Sequence, residues 1–391
     1  METASYSGKR VFAAACAGMA VFGVVMLALG SIMEPLKARV PQAYSLPQYL
    51  SIGLLAGTLL FGPVVDKSGY KWMTIGAAVA ALAGLLGLSG FTSMSLLVPS
   101  MLLLGLGGGI LNGLTNALVS DISDDTTRSP RLSLLGAFYC IGALLWTVAC
   151  ALIKDYKIPL AAAAAVTLAF IIFFILTDFP KAKQQENVSY LDSLRLMGKP
   201  VLLLFALILF FESGFEGISC NYLQPYLVAN GFPVSAATFC LTMYTVGMLA
   251  GRLALTWFAS RTSDLRMLVT YLEVALAGCI LMHYAKGNSF VPYLAITFIG
   301  FGCGATFPVV LSRLGEAFSA KTGSAVSAAM FIALSGQTAF NHFTGRIFSG
   351  GSISLYPALM VVAVAMMLLL LPHVAVNAAW RRGGTAPPQQ D

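Results

Sequence analysis

Charge is what this sequence has least of. Only 10% of its 391 residues are Asp, Glu, Lys or Arg, against about 25% in soluble domains, which excludes a water-soluble fold of this size. Histidine is nearly missing: His283, His342 and His373 fall in separate apolar runs, without the spacing of a metal site. The seven cysteines, Cys16, Cys140, Cys150, Cys220, Cys240, Cys279 and Cys303, are odd in number, lie in apolar runs and form no C-x-x-C pair. They read as small core residues, with no disulfide framework or metal site. No Ser, His and Asp grouping or phosphate loop is apparent, so neither enzyme chemistry nor a cofactor is expected. The glycine-rich "LGLGGGILNGLTN" of 104–116 has Ile110 where a dinucleotide loop needs its third glycine, and no strand-turn-helix unit surrounds it.

What the chain has in abundance is apolar length. Apolar residues make up 58% of it and the mean hydropathy is +0.82. Runs long enough to cross a hydrocarbon core, about 20 residues each, recur throughout, and their lack of two-residue alternation points to helices instead of a barrel. Spans are expected near 11–35, 47–65, 72–91, 95–120, 131–153 and 158–178, then near 200–227, 234–260, 265–286, 291–315, 322–345 and 353–373. The domain plan is therefore a short N-terminus (1–10), a six-helix bundle (11–178), a polar linker (179–199), a second six-helix bundle (200–373) and a tail (374–391). The first run, Val11 to Met33, is too long for a signal-peptide core and is expected to be retained. Of the 23 basic residues, 17 fall on the side holding both termini, leaving Lys37, Arg39, Lys154, Lys157, Lys286 and Arg346 opposite. The positive-inside rule makes that side cytoplasmic, in a plasma membrane of the bacterial inner-membrane kind. It also accounts for the net charge of +7 without a nucleic-acid partner.

An internal repeat appears at an offset of 195 residues: Gly105, Gly107 and Gly109 of the fourth span match Gly300, Gly302 and Gly304 of the tenth, Asp66 matches Arg261, and Lys71 matches Arg266. Two parallel six-span halves joined by a cytoplasmic loop are the arrangement of the major facilitator superfamily, with the substrate site near the midplane between the halves. The loop "GPVVDKSGYK", Gly62 to Lys71, resembles that superfamily's signature between its second and third spans, and "GRLALTWFASR", Gly251 to Arg261, is its degenerate partner. The resemblance implies a cytoplasmic gate of Asp66, Lys67, Lys71 and Arg261, whose charges clasp neighbouring helix ends; a plain charged topogenic loop is the alternative. Within the superfamily the chain is most similar to the fucose, galactose and glucose to proton symporters, best in "GLGGGILNGLTNALVSDI" and "GRLALTWFASR". Fucose-type members have an acid four residues before an Asn in the fourth span, where this chain has Asn112 and Asn116. They also have an Asp four residues before a Pro in the first span, where this chain has Ser31 before Pro35. Both acids that would carry the proton are missing from those places.

Turning the fourth span by about 100° per residue puts Gly105, Gly109, Gly113, Asn112 and Asn116 on one face and Leu111 and Leu114 on the other. The glycines allow close helix approach; the asparagines either bond another helix or line a wet cavity. The seventh span, "FFESGFEGISCNYLQPY", carries Glu212 and Glu216 one turn apart. Acids near the bilayer centre are functional candidates by default, and two so close resist ionising together, so one holds a proton near neutrality. Structural pairing is the competing explanation. Glu34, at the outer end of the first span, reads as a surface group, and Arg252 as a partner for a helix end. Tyr139, Trp146, Asn221, Tyr244, Gln337 and Asn341 are aromatic or amide groups at cavity depths, suited to the faces and hydroxyl groups of a sugar. The expected function is a monomeric secondary carrier moving a small polar solute, of the monosaccharide class, with protons. A proton-driven exporter of an amphipathic compound and a receptor that binds without transport are the alternatives.

Overall fold

A computed structural model describes residues 6–123, 128–180, 198–258, 261–284, 290–318 and 322–376, with backbone alone at 62–68 and at some helix-end positions. The expected linker and C-terminal tail fall almost wholly outside these residues. Helix is the regular structure throughout them, with no strand. The first half runs α1 (Gly8–Lys37), α2 over 46–68, α3 (Gly69–Gly90), α4 (Met94–Asp121), α5 (Arg128–Leu152) and α6 (Lys157–Ile175). The second runs α7 (Pro200–Ala229), α8 (Val234–Phe258), α9 (Asp264–His283), α10 (Val291–Ala317), α11 (Thr322–Ser349) and α12 (Tyr356–Val376). Every expected span coincides with one of these helices.

The expected loop between the second and third spans is reduced to a break at Gly69 (φ 71°, ψ 169°), where α2 meets α3. That conformation suits a residue without a Cβ, so the signature glycine makes the break between α2 and α3. Ten described helices are long and apolar enough to span a membrane. In α11 the apolar run is diluted by Ser335, Gln337, Thr338, Asn341, His342 and Thr344.

Because these helices are apolar on nearly all sides, lipid does not select their packing faces; small residues do. A Cβ at Gly105 would stand 2.1 Å from the Leu50 carbonyl oxygen on α2, and one at Gly300 would stand 2.0 Å from that of Tyr244 on α8. Gly53 faces the Leu102 carbonyl as Gly247 faces that of Thr297. The α2–α4 seam is thus repeated as the α8–α10 seam, which is the structural content of the sequence repeat. At the terminal side, Tyr70 Oη donates to Asp121 at 2.7 Å between α3 and α4. In the second half Arg313 of α10 pairs with Asp264 of α9 at 2.5 Å and with Glu316 at 2.7 Å.

The two halves meet along α1–α7, α2–α11 and α5–α8, whereas α4 and α10 pack chiefly within their own halves. On the side away from the termini the contact is tight: a Cβ at Gly30 of α1 would lie 1.7 Å from the Cys220 carbonyl oxygen of α7. Gln224 donates to the Ser31 carbonyl at 2.7 Å and accepts from the Glu34 backbone N–H at 3.1 Å. Tyr222 Oη donates to the carbonyl of Tyr44 at 2.7 Å, and His342 of α11 hydrogen-bonds Gln48 of α2. The far side is closed by bonds between halves.

Candidate functional site

The site grows from the α1–α5 seam. Gly23 of α1 lies so close to α5 that a Cβ there would stand 2.1 Å from the Tyr139 carbonyl oxygen. Phe22 packs on the Tyr139 ring with centroids 5.4 Å apart. So fixed, Tyr139 extends across the boundary between halves and its Oη donates to Glu216 Oε1 of α7 at 3.0 Å. Arg252 of α8 reaches the same place from the other side, its guanidinium 5.2 Å from the Tyr139 ring centroid, and Nη1 donates to the Gly136 carbonyl at 3.1 Å. Stacking of this kind is favourable where water is sparse. Glu212, 2% exposed, lies one turn below Glu216 beside Ser213 Oγ at 3.4 Å; Glu216 is half-buried. Two acids, one cation and a phenol thus face one another at the seam.

The expected polar ligands divide into two groups around this cluster. Asn221, Gln337, Asn341 and Tyr244 are buried within the second half. Gly217 sets two of them: its missing Cβ would stand 2.7 Å from Gln337 Cγ and 3.0 Å from Asn341 Nδ2. Asn221 Nδ2 donates to the Gly217 carbonyl at 2.9 Å, and Asn341 Nδ2 crosses to Ser51 Oγ of α2 at 2.8 Å. Asn221 Oδ1, Gln337 Nε2, Tyr244 Oη and Arg252 Nε are buried without a hydrogen-bond partner. Unpartnered buried polar atoms are costly, by about 1–3 kcal/mol each, and they concentrate on the helices flanking Glu216.

Asn112 and Asn116 stand apart from that group. On α4, Gly105 and Gly109 face α2, while Leu111 and Thr115 pack on Gly18 of α1. The two asparagines are half-buried. Asn116 Nδ2 bonds back to the Asn112 carbonyl at 2.8 Å and its Oδ1 at 3.3 Å. Trp146 is 3% exposed and its Nε1 donates to the Leu27 carbonyl at 3.0 Å, so in this state it holds α1 to α5. Of the expected gate, Asp66 and Lys67 have side chains outside those described. Lys71 is half-exposed, and Arg261 stacks on Trp257 of its own half at 4.0 Å.

Arg252 is where the structure departs from the sequence expectation. Near the end of α8 it reads as the partner of a helix end, yet Nη1 bonds the Gly136 carbonyl inside α5 and the guanidinium lies over Tyr139, as helical side chains lean toward the helix N-terminus. The available signal was an ionisable residue inside an apolar span. Also unforeseen were Ser31, Tyr44, Gln48 and Ser51, which take part in the far-side closure through Gln224, Tyr222, His342 and Asn341. Glu34 belongs there too: Tyr44 Oη donates to it at 2.8 Å and Lys37 Nζ to Tyr44 Oη at 2.7 Å.

Two apolar hollows lie elsewhere. One of about 280 Å³ is lined by Leu60, Trp72, Met73, Gly76, Ala77, Leu106 and Ile110, and one of about 440 Å³ by residues including Ala13, Phe138, Leu145 and Phe173. Both are lined by apolar side chains.

The sequence model of the Major Facilitator Superfamily matches residues 11–341. A protein TsgA homolog of Erwinia tasmaniensis is 23% identical over 296 residues, 72% of this chain and 73% of that protein. Among solved structures, a D-xylose-proton symporter superimposes with a TM-score of 0.78 at 17% identity, covering 94% of this chain and 98% of that one. The Escherichia coli fucose:proton symporter, as its N162A variant, gives 0.66 at 19% identity with the same coverage. These likenesses carry the fold, and the family match extends it to the sequence: helices paired by repeated glycine seams, with polar groups meeting between two halves, form a transporter of the major facilitator superfamily, to which this chain belongs.

Proposed function

We propose that the chain moves a small polar solute of the monosaccharide class together with protons, by alternating access, with both termini in the cytoplasm. The observation that carries this is the hydrogen bond from Tyr139 of the first half to Glu216 of the second, 3.0 Å long and beside Arg252. Rocking of the halves separates α5 from α7 and α8. An ionised Glu216 then loses its donor in a medium poor in water, at a cost of about 1.5–3 kcal/mol for a charged hydrogen bond. A protonated Glu216 loses less, so proton binding lowers the barrier to reopening. Glu212, one turn away and more deeply buried, discourages both carboxyls from ionising together.

The solute is held by amides and hydroxyls. Asn221, Gln337, Asn341 and Tyr244 supply them from the second half, and Asn112 and Asn116 from α4 of the first. The unpartnered atoms at Asn221, Gln337 and Tyr244 suit a ligand dense in hydroxyl groups. The named activities of the xylose and fucose symporters agree with this class of solute and coupling. Counterflow in proteoliposomes against a panel of monosaccharides and their acid derivatives tests it. Exchange of at least one compound, with accumulation only under an inside-alkaline gradient, is the expected result. Binding without any counterflow identifies a receptor instead.

A further inference from the structure

The Arg252 guanidinium presents five N–H donors in a planar fork. Nη1 reaches the Gly136 carbonyl at 3.1 Å, while the Nε–H is buried and unbonded. The ion pairs of Arg313 with Asp264 and Glu316 do not involve it, and among the described residues no carboxylate lies within 4.0 Å of Arg252. It is therefore not spent as the contact partner of Glu212 or Glu216, although it stands in their field. Its position is prepared: a Cβ at Gly136 would lie 3.1 Å from Nη1, so glycine there leaves room for the fork, and the Tyr139 ring supports it from one side.

Beyond offsetting a carboxylate of the Glu212 and Glu216 pair, the fork keeps donors free, and for a neutral sugar amides and aromatic rings suffice. A carboxylate matches an arginine fork with two parallel hydrogen bonds. Resting on the proposed transport of a monosaccharide-class solute, we propose that the solute is a sugar acid, an aldonate or uronate, whose carboxylate pairs with Arg252 while its hydroxyls meet Asn221, Gln337 and Asn341. Charge balance fits. With the Glu212 and Glu216 pair holding one proton, Arg252 offsets the pair's remaining negative charge. When the pair takes a second proton, Arg252 keeps a positive charge that the entering carboxylate neutralises. One proton and one monoanion then cross together with no net charge, whereas a neutral sugar with one proton would carry a positive charge.

Purified protein in proteoliposomes, given D-gluconate, D-glucuronate or D-glucose, separates these cases. Accumulation of an acid sugar under an inside-alkaline gradient is expected, at a rate that an imposed potassium diffusion potential leaves unchanged. Arg252→Lys should weaken acid-sugar affinity on the order of tenfold by losing the fork, and Arg252→Gln should abolish its uptake. Uptake of glucose without the acids, or uptake of the acids that an inside-negative potential accelerates, overturns the assignment and leaves sugar transport standing. Failure of all three compounds in counterflow overturns the assignment, and failure of the wider monosaccharide panel with them overturns sugar transport as well. The wild-type comparison of acid with neutral sugar decides even where an Arg252 variant does not fold.

Discussion

Tyr139 donating to Glu216 is one bond in a helical chain full of them, yet among the described residues it alone joins a titratable acid of one half to a phenol of the other. Tyr139→Phe keeps the ring that packs on Phe22 and under Arg252 and removes only the hydroxyl. Solute binding should change little, whereas gradient-driven accumulation should fall by about ten- to a hundred-and-fiftyfold, as the loss of a charged hydrogen bond of about 1.5–3 kcal/mol implies; parallel binding and uptake assays on the variant check this. Glu212 and Glu216 were legible in the sequence because acids stand out in an apolar run. Arg252 stood out equally, but its place near the end of α8 suggests a helix-end partner, whereas its side chain leans toward the helix N-terminus, to Gly136 and Tyr139. Trp146 shows the opposite case: an aromatic at cavity depth that bonds the Leu27 carbonyl, a contact that no spacing within α5 could reveal.

At the scale of elements, the helices and their ends were legible because a span needs a continuous apolar run and charges mark its limits. Which helices would touch was legible only through glycine. Gly105 and Gly300 mark seams where a Cβ would collide with backbone on α2 and α8. Gly105→Ala should destabilise the purified protein by about 1–3 kcal/mol through overpacking. Gly76→Ala, where nothing lies within 4 Å, should be neutral or slightly stabilising, since alanine is the better helix former by about 1 kcal/mol. Thermal melts of the two variants in one detergent compare them directly. Gly30 carries a different consequence, since its neighbour is the Cys220 carbonyl across the boundary between halves. Gly30→Val should keep α1 and α7 apart on the far side, so that solute binding survives and counterflow stops. Contacts between halves, such as Asn341 with Ser51, were not legible, because residues 290 apart in sequence share no local pattern.

For the whole molecule, the repeat is the organising fact. Two halves with equivalent glycine seams move as bodies more readily than they deform, and the polar groups that join them determine which side is closed. Here Gln224, Tyr222, His342 and Asn341 close the side away from the termini, while α4 and α10 remain with their own halves. Gln224→Leu removes bonds to Ser31 and to the Glu34 backbone and should shift the population toward the far-side-open state. Tighter solute binding from that side, measured in oriented vesicles, checks it. Proton coupling through Glu216 is the central claim. The direct measurement compares wild type and Glu216→Gln in the same proteoliposomes, for counterflow and for accumulation under an inside-alkaline gradient. The variant should exchange solute and fail to accumulate it; accumulation by Glu216→Gln equal to that of the wild type would contradict the account.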